Sequence, residues 1–378
     1  MIKKRIFFII LALILLYSLW LSFNILRFKT YESPASEASP LEMQGVYHIH
    51  TNFSDGRKSP DEIARLASKA GLNFIILVDH GSPNRESYAS QGWRHGVLVL
   101  AGSELSASRG HLVGLDFKLP SHNFSQDTED AVYEIIAAGG FSVIAHPYSK
   151  VQWSWGEYAG YAGIEIMDAD TMLRKDFLLS LPHLPALFLK PGYALLKVID
   201  SPQRTLRKWD ELNKNYTVYG YFSADAHLLY RPLLDFLRLH LLLDTPLSSD
   251  FEEARRQVFE ALRSGRFYNS IHAAAQAEGF RFWAERGKEV IPMGGTALFE
   301  SGLTFHVRAP FPFATDIHLI HDGKSIFHSN EETASFEVKQ LGVYRVEVYL
   351  KEKSPLEKEI PWIISNPIFL REDKNVDR

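Results

Sequence analysis

The sequence predicts an α/β fold that is preceded by one transmembrane helix and followed by a small antiparallel β-sandwich. The stretch between Arg5 and Arg27 holds 21 residues without a charge. From Val46 onward, strand and helix patterns alternate, which indicates a mostly parallel sheet, either open or closed into a barrel. After about residue 280, apolar and polar residues alternate with period two, as in antiparallel strands. The predicted divisions are an anchor at 1–29, a linker at 30–44, the α/β unit at 45–280, the β-sandwich at 281–371 and a tail at 372–378.

The N-terminal segment "IFFIILALILLYSLWLSF" and its uncharged flanks are long enough to cross a hydrocarbon core of about 30 Å. The segment exceeds the apolar region of a signal peptide, about 7–15 residues, which favours an uncleaved anchor over a cleaved signal. Lys3, Lys4 and Arg5 precede it, whereas Arg27 and Lys29 follow, and this balance favours an N-terminus in the cytoplasm. We therefore expect a single-pass membrane protein whose remaining chain lies outside the cytoplasm, in a periplasm or the extracellular space.

A second leucine-rich segment, "FLLSLPHLPALFLKPGYALLKVI", is interrupted by Pro182, Pro185 and Pro191 and carries Lys190. Proline breaks the interior of a helix, so this segment is not a second membrane span. Core packing is the favoured interpretation, and insertion into the bilayer interface is the alternative.

The α/β elements follow from their start and stop signals. "GVYHIH" is a short strand, and "SPDEIARLASKAG" begins a helix with Ser59 as N-cap, Pro60 at N1 and Glu62 at N3. In the C-terminal region, Asp322-Gly323 predicts a hairpin turn. Further strands are predicted at "NFIILVDHG", "GVLVLAGSEL", "GHLVGLDF", "FSVIAHP", "AGIEIMD", "TVYGYFSADAH", "DFLRLHLLL", "LTFHVRA", "DIHLIHDGKSIF", "ASFEVKQ" and "YRVEVYL", and helices at "DTEDAVYEIIAAGG", "SPQRTLRKWDELNKN" and "DFEEARRQVFEALRSG".

Composition and charge exclude several function classes. The 378 residues carry a net charge of −4, so no overall basic field draws the chain to nucleic acid, and no stable nucleic-acid complex is expected. The chain has no cysteine, which excludes disulfides, thiolate metal ligands and cysteine nucleophiles.

Residues that bind metals gather at the carboxyl ends of the predicted strands. His48 and His50 are two residues apart, so they project from one face of a regular strand, and Asp225 and His227 repeat this spacing. Imidazole and carboxylate ligands suit zinc, manganese or iron rather than calcium or magnesium alone. The residues at these strand ends are His48, His50, Asp79, His80, Glu104, His146, Asp225 and His227, and His111 begins the strand after Glu104.

Five segments, "HIHTNFSDG", "VDHG", "SELSASRGHLVG", "AHP" and "DAH", in this order resemble the motifs of the PHP (polymerase and histidinol phosphatase) superfamily. The resemblance covers about residues 45–270. It implies a distorted seven-stranded (β/α) barrel with a trinuclear metal centre that hydrolyses phosphoesters. A threonine commonly precedes the "DH" of the second motif, where this chain has Val78, and this difference affects no ligand.

The resemblance also implies a role for each motif residue. The ions are expected to be three divalent transition metals, Mn²⁺ or Zn²⁺, with Fe²⁺ as a further candidate. Two such ions about 3.5–4 Å apart can hold a phosphoryl oxygen and share a hydroxide at neutral pH. Asp225 and Glu104 are the predicted catalytic residues, since Asp225 can orient or deprotonate the water and Glu104 can bridge two ions. The implied ligands are His48, His50, Glu104 and Asp225 for one ion, Glu104, His111 and His146 for the second, and Asp55, His80 and His227 for the third.

Other polar residues near the motifs have more than one interpretation. Glu165 is either a group that supports a ligand or an ordinary polar residue of its strand, and Asp79 is a candidate to hold His80. Three cations in loops are candidates for binding substrate phosphate, with solvated surface charge as the alternative: Lys150, Arg109 and Arg57.

We therefore predict a metal-dependent phosphoesterase that hydrolyses a phosphomonoester or phosphodiester. One alternative is a nuclease or nucleotide phosphodiesterase acting on extracellular nucleic acid, against which the acidic balance argues. The other is a binding or scaffold protein whose C-terminal sandwich recognises an envelope glycan or protein. The full ligand set favours the enzyme, because a binding protein has no need of nine metal ligands.

Overall fold

A computed structural model describes residues 2–32, 39–148, 152–175, 184–309, 311, 313–351 and 356–372. Its first element is helix α1, Ile2–Arg27. Over this described part of the chain, α1 alone is long and apolar enough to cross a membrane, a property that signal sequences share. The remainder is a mixed α/β structure with several sheets.

The α/β region begins with a strand that starts earlier than predicted, since β1 takes in three residues of the expected linker. The predicted capping box of α2 is confirmed: the Ser59 side chain accepts from the backbone of Glu62, and the Glu62 side chain accepts from the backbone of Ser59. The elements are β1 Glu42–Ile49, α2 Pro60–Lys69, β2 Phe74–Leu77, α3 Arg85–Ala89, β3 Gly92–Arg94, β4 Val97–Ala101, β5 Ser103–Ala107, β6 Gly110–Leu115, α4 Thr128–Ala137, β7 Phe141–Ile144, β8 Gly163–Asp168, α5 Ala169–Lys175, α6 Leu184–Leu189, α7 Pro191–Val198, α8 Gln203–Asn213, β9 Tyr219–Ser223, α9 Tyr230–Leu234, β10 Leu237–Leu242, α10 Phe251–Arg263 and β11 Phe267–Ile271.

The strands of this region belong to two sheets that are joined to each other at two places. In one sheet β1, β2 and β4 are parallel. In the other, β5, β6 and β7 are antiparallel, whereas β7, β8 and β9 are parallel. Parallel bridges pair Ile49 with Ala226 and His80 with Glu104, so each sheet continues into the other. The carboxyl ends of β1, β2, β7, β8 and β9 therefore converge on one side.

The C-terminal strands extend one of these sheets and also form a separate one. Strands β13, β12, β15 and β18 make a four-stranded antiparallel sheet, and β16 and β17 form the predicted hairpin, with Asp322 and Gly323 at φ 47° and 81°. The strands are β12 Arg281–Arg286, β13 Glu289–Pro292, β14 Thr296–Leu298, β15 Thr304–Arg308, β16 Thr315–His321, β17 Lys324–Ser329, β18 Thr333–Glu337, β19 Gly342–Leu350, β20 Ile363–Ser365 and β21 Ile368–Arg371.

Pairing between β11 and β20 joins the C-terminal strands to the α/β region. Two buried asparagines reinforce this junction by satisfying the backbone of Gly220: its N–H donates to Asn366 at 2.8 Å, and its carbonyl accepts from Asn269 at 2.9 Å. Strand β10 runs antiparallel to both β1 and β11, so it leads the chain from the metal-ligand strands toward this junction. The division at residue 280 and the two-layer sandwich remain predictions.

A buried carboxylate holds the start of β1 against the C-terminal region. Glu42 accepts hydrogen bonds from the Tyr268 hydroxyl and from Arg281 Nη1 at 2.7 Å, and it lies 3.2 Å from His240 Nδ1. Burial alone would raise the pKa of Glu42, but His240 and Arg281 lower it to about 2. Because the ordinary value is 4.5, this contribution to stability is fully present above pH 4.5 and is lost as the pH falls toward 2.

We predict that Glu42→Gln lowers the free energy of unfolding by about 3 kcal/mol at pH 7 and that the loss shrinks toward zero as the pH approaches 2. The measurement is denaturant unfolding of the full chain in detergent at a series of pH values. The matched control is Glu252→Gln on α10, where the side chain is 76% exposed and little change is expected. A difference from wild type that does not depend on pH would contradict this account of Glu42.

Candidate metal centre

Nine predicted ligands come together where the strand ends converge. His48 lies in β1 and His50 directly after it, while Asp55 lies in the following loop. His111 is at the beginning of β6, but β6 runs antiparallel to its neighbours, so its beginning faces the same side as their ends. The remaining ligands are His80 after β2, Glu104 in β5, His146 after β7, and Asp225 and His227 after β9.

The centre of the arrangement is the Glu104 carboxylate, which is only 1% exposed. Five histidine rings approach its two oxygens, and we call these six residues the Glu104 cluster. Oε1 lies 2.9 Å from both His111 Nδ1 and His146 Nε2. Oε2 lies 3.1 Å from His80 Nδ1, 3.2 Å from His50 Nε2 and 3.5 Å from His48 Nε2.

Hydrogen bonding alone does not account for this cluster. The Nε2 atoms of His48 and His50 are 3.1 Å apart, and both lie within 3.3 Å of Asp225 Oδ1. Among the described residues, Asp225 Oδ1 and His80 Nδ1 are buried and form no hydrogen bond despite these approaches. Ligand atoms on a tetrahedral ion with bonds of about 2.1 Å are about 3.4 Å apart, so the observed spacing fits atoms that share a cation.

The outer part of the centre is built around Asp55. Its carboxylate oxygens lie 3.3 Å from His227 Nε2, 3.4 Å from His50 Nδ1 and 3.6 Å from His80 Nε2. Ligand atoms of these four residues are close enough together to hold one ion. Three further sets meet the same condition, and they agree with the predicted grouping only in part. His50 joins the Asp55 set, His80 takes the place of His146 beside Glu104 and His111, and Asp225 groups with Asp170 and His227 rather than with His48 and His50. The three sets are His48, His50 and Glu104; His80, Glu104 and His111; and Asp170, Asp225 and His227.

The backbone at three ligands departs from the regular strands that the sequence predicted. His48, His146 and Asp225 have φ values of 66°, 26° and 44°, a region that costs non-glycine residues about 1–3 kcal/mol each. The pairing of β1 with β2 shifts register between Val46 and Ile49 around His48. The side chains of His48 and His50 meet, as the i, i+2 spacing predicted, but the backbone that carries them is irregular, and Asp225 lies beyond the end of β9.

Glu165 in β8 supports two ligands at once. His48 Nδ1 donates to Glu165 Oε1 at 2.6 Å, which orients the ring so that Nε2 faces the other ligands and can bind an ion once its proton is released. The backbone N–H of His146 donates to the other carboxylate oxygen at 2.7 Å. Of its two interpretations, the structure therefore favours the one in which Glu165 supports ligands.

Asp79 does not hold His80, which corrects the sequence interpretation. Its carboxylate instead accepts from the Thr51 backbone at 2.6 Å and from the hydroxyls of Thr51, Ser54 and Ser87 at 2.5–2.8 Å. Asp79 therefore orders the loop after β1, which carries Asp55 into the centre.

Three residues around β8 and α5 were missed by the sequence interpretation. Asp168 accepts from Ser223 Oγ at 2.7 Å, and burial, reinforced by Asp225, raises its pKa to about 7. Asp170 lies close enough to Asp225 and His227 for the three to hold one ion, and Arg174 forms an ion pair with Asp170 at the mouth of the centre. The signal for Asp168 and Asp170 was "MDAD" at a strand end, whereas no such signal marked Arg174.

The three candidates for phosphate binding fare differently. The Arg109 guanidinium donates to the carbonyls of Trp155 at 2.8 Å and Glu157 at 3.0 Å, and it pairs with Glu129. These contacts stabilise the loop around Trp155, so the structure argues against a phosphate contact for Arg109. The Arg57 side chain is exposed, and its backbone N–H donates to the His227 carbonyl at 3.1 Å. Lys150 lies outside the described residues.

Neighbouring carboxylates raise the pKa of two ligand histidines and so favour their protonated forms. Burial lowers the pKa of His50 and of His146. At His50 the effect of burial is outweighed by Asp225 and Glu104, and at His146 it is outweighed by Glu104 and Glu165. The pKa of each ring is therefore raised to about 9. Burial opposes ionisation of Asp225, yet His48 and His50 hold its pKa well below the usual range. Because a cation can replace these protons as the counter-charge, metal binding near neutral pH should release them.

Two cavities give access to the centre. One, of about 260 Å³, opens over Glu104 and Asp225 and is lined at its mouth by Arg174. The other, of about 280 Å³, is more apolar and includes Tyr148 and Arg204. Both touch His146 and Thr171, so a molecule whose reacting group lies at the ligands has adjoining space for its remainder.

The chain was compared with known proteins. No protein-family model matches it. A curated but uncharacterized protein of Methanocaldococcus jannaschii is 25% identical over 142 residues, which cover 34% of this chain and 82% of that protein. A two-domain protein of Bacteroides vulgatus, described as containing a predicted PHP-like metal-dependent phosphoesterase, aligns over 90% of this chain and 99% of its own with 16% identity and a TM-score of 0.45.

Two further solved structures align with parts of the chain. A proposed metal-dependent phosphoesterase of Bifidobacterium adolescentis aligns over 33% of this chain and 77% of its own, with 16% identity and a TM-score of 0.26. An amidohydrolase of Chromobacterium violaceum, solved with sulfate and no metal, aligns over 49% of this chain and 87% of its own, with 19% identity and a TM-score of 0.31.

We predict that Glu165→Gln weakens metal binding about 10–100-fold. The amide can accept from His48, but its NH₂ group faces the His146 N–H, so one of the two supporting bonds is lost. Affinity is measured by competition with a chromogenic chelator, with Glu253→Gln on the exposed face of α10 as the matched control. Unchanged affinity in a variant with wild-type thermal stability would show that Glu165 does not position the ligands.

Proposed function

We propose that this protein is a metal-dependent phosphoesterase with a trinuclear centre. The observation that carries the proposal is the Glu104 cluster, in which five histidines surround one buried carboxylate and Asp225 completes the inner part. The nitrogen and oxygen ligands favour Mn²⁺ or Zn²⁺, with Fe²⁺ as a further candidate. Adjoining positions are supported by the grouping in the structure, because Glu104, His50 and His80 each belong to two sets of possible ligands.

The metal ions would lower the pKa of water and neutralise phosphoryl oxygens, which are the two requirements of phosphoester hydrolysis. Asp225 is ionised at neutral pH, so it can bind a cation and orient the attacking water by accepting a hydrogen bond from it. Arg174 lies at the mouth of the cavity, where its guanidinium can bind an anionic group of the substrate. The adjoining cavity provides space for the leaving group of a small phosphomonoester or phosphodiester.

The proposal includes a distorted seven-stranded barrel. Its strands would be β1, β2, the continuous pair β4 and β5, β6, β7, β8 and β9. Closure is supported where β9 returns to β1: the N–H of Ala224 donates to the Tyr47 carbonyl at 3.1 Å, and the N–H of His50 donates to the Ala226 carbonyl at 3.1 Å. Gly102, which separates β4 from β5, donates its N–H to the Leu77 carbonyl at 2.8 Å. The antiparallel β6 is the distortion.

The proposal places the catalytic region outside the cytoplasm. Helix α1 supports a single-pass anchor by its length and its exposed apolar surface. The preceding cluster of Lys3, Lys4 and Arg5 supports an N-terminus in the cytoplasm.

We predict that His50→Ala and Asp225→Ala each abolish hydrolysis of an aryl phosphate and reduce bound metal, because each removes a buried ligand and disturbs the pKa of the bound hydroxide. Loss of Glu104 should reduce metal content more than loss of His111, since Glu104 contacts both inner positions. Activity and elemental analysis are measured on the same preparations.

The control for these variants is His318→Ala in β16, which should leave metal and rate unchanged because the contacts of His318 with described residues are to its own hairpin and β19. Chelation should remove the activity of wild type, and added manganese or zinc should restore it. If His50→Ala keeps the full rate and metal content, the trinuclear proposal is wrong.

We also predict that protease added to intact cells or spheroplasts digests the catalytic region and leaves a short membrane-bound stub. The reason is the charge balance around α1, which places residues beyond Lys29 on the outer side. Immunoblots with antibodies to both ends of the chain follow the digestion. Full protection, under conditions that digest a known external protein, would reverse the proposed topology.

A further inference from the structure

Helices α6 and α7 pack against the last turns of α1. Leu21 and Ile25 of α1 are buried there by Ala186, Tyr193 and Ala194, which form a small apolar cluster apart from the main core. Beyond α1, the Phe28 and Tyr193 rings are 5.7 Å apart, and Lys190 Nζ donates to the Phe28 carbonyl at 2.6 Å. These contacts join the second leucine-rich segment to the end of the anchor.

The position of this contact along α1 sets its depth in a membrane. The 21 uncharged residues between Arg5 and Arg27 rise about 32 Å as a helix, which is close to the full hydrocarbon thickness. Leu21 is five residues before Leu26, so it lies about 8 Å inside the outer boundary. Residues that pack against Leu21 therefore lie at the level of the outer headgroups and the upper acyl chains.

The same element exposes large apolar side chains. Phe188 is 86% exposed and Leu189 is 70% exposed, both at the end of α6. Lys190 follows them directly, and Arg27 and Lys29 flank the end of the anchor. Apolar residues bordered by cations at one level are the arrangement of an interfacial element, in which apolar groups enter the bilayer and cations remain among the headgroups.

We propose that α6 and α7 form a membrane-contact surface that inserts Phe188 and Leu189 into the outer leaflet beside α1. This proposal rests on the anchoring of α1 proposed above. It reverses the sequence interpretation, which favoured core packing for this segment. It also fixes the position of the metal centre, because residues 200–202 after α7 and 171–172 in α5 line the apolar cavity next to the ligands. That cavity is therefore held at a set orientation to the bilayer rather than free to turn on a linker.

The chain has no cysteine, so a single introduced cysteine gives a unique labelling site. We would place a nitroxide at Leu189→Cys, and separately at Phe188→Cys, in the full chain reconstituted in vesicles of equimolar phosphatidylcholine and phosphatidylglycerol. The matched control is Tyr133→Cys on α4, where the side chain is 74% exposed and far along the chain from α6. Each variant must bind as much metal as wild type, which shows that it is folded.

Power-saturation spectroscopy then compares relaxation by oxygen, which concentrates in lipid, with relaxation by a water-soluble nickel chelate. We expect the oxygen-to-nickel ratio at Leu189 and Phe188 to exceed that at Tyr133 by at least about threefold. Equal ratios would overturn the proposal, and so would low accessibility to both reagents, because that result means protein rather than lipid covers the surface. Intact mass of the reconstituted chain separates the two claims: if α1 is present and the ratios are equal, the contact surface is wrong and the anchor stands.

Discussion

The rest of the site depends on a single electrostatic constraint, which is that five imidazole rings meet one buried carboxylate. A carboxylate offers about four lone-pair sites, so Glu104 cannot accept a well-directed hydrogen bond from every ring within 3.5 Å. Protonating the rings instead places several like charges in a buried volume. A shared set of cations resolves both problems, because each nitrogen then points a lone pair at a metal and each carboxylate oxygen offsets its charge.

The fold provides this convergence through strand ends and accepts local distortion to do so. Left-handed backbone at His48, His146 and Asp225 turns the three side chains toward one point. Glu165 compensates at two of these positions, by fixing the ring of His48 and the backbone of His146. The strained backbone of the ligands and the Glu165 hydrogen bonds that offset its cost therefore lie in the same place. This arrangement is typical of a binding site rather than of a region that serves stability alone.

Strand-end spacing and the resemblance to family motifs could suggest ligands because both depend on short stretches of sequence. A capping box at Ser59 and Glu62 or a strand-end histidine is encoded within a few residues, so it can be recognised without the fold. The role of Glu42 was not predictable, since its partners Arg281 and His240 are about two hundred residues away along the chain. The pairing of β11 with β20 was not predictable for the same reason, because the two strands are far apart along the chain.

Side-chain roles also depended on distortions that periodicity does not contain. A regular strand places His48 and His50 on one face, and the register shift and left-handed backbone at His48 leave no mark on the apolar pattern. At Arg109, by contrast, the sequence suggested a role against which the structure argues. A cation in a suitable loop fits a phosphate site in sequence, but the carbonyls of Trp155 and Glu157 already occupy its guanidinium in the fold.

The central claim is that cations hold the Glu104 cluster together, and counting them tests it most directly. The full chain would be purified gently without chelators, and its bound metals would be counted by mass spectrometry before and after addition of Mn²⁺. Protons released on binding would be counted from the heat of Mn²⁺ titration in buffers of different ionisation enthalpy. We predict about three transition-metal ions per chain at saturation, with protons released from the histidines on binding near pH 7. A folded chain that holds no transition metal and takes up none would contradict the account.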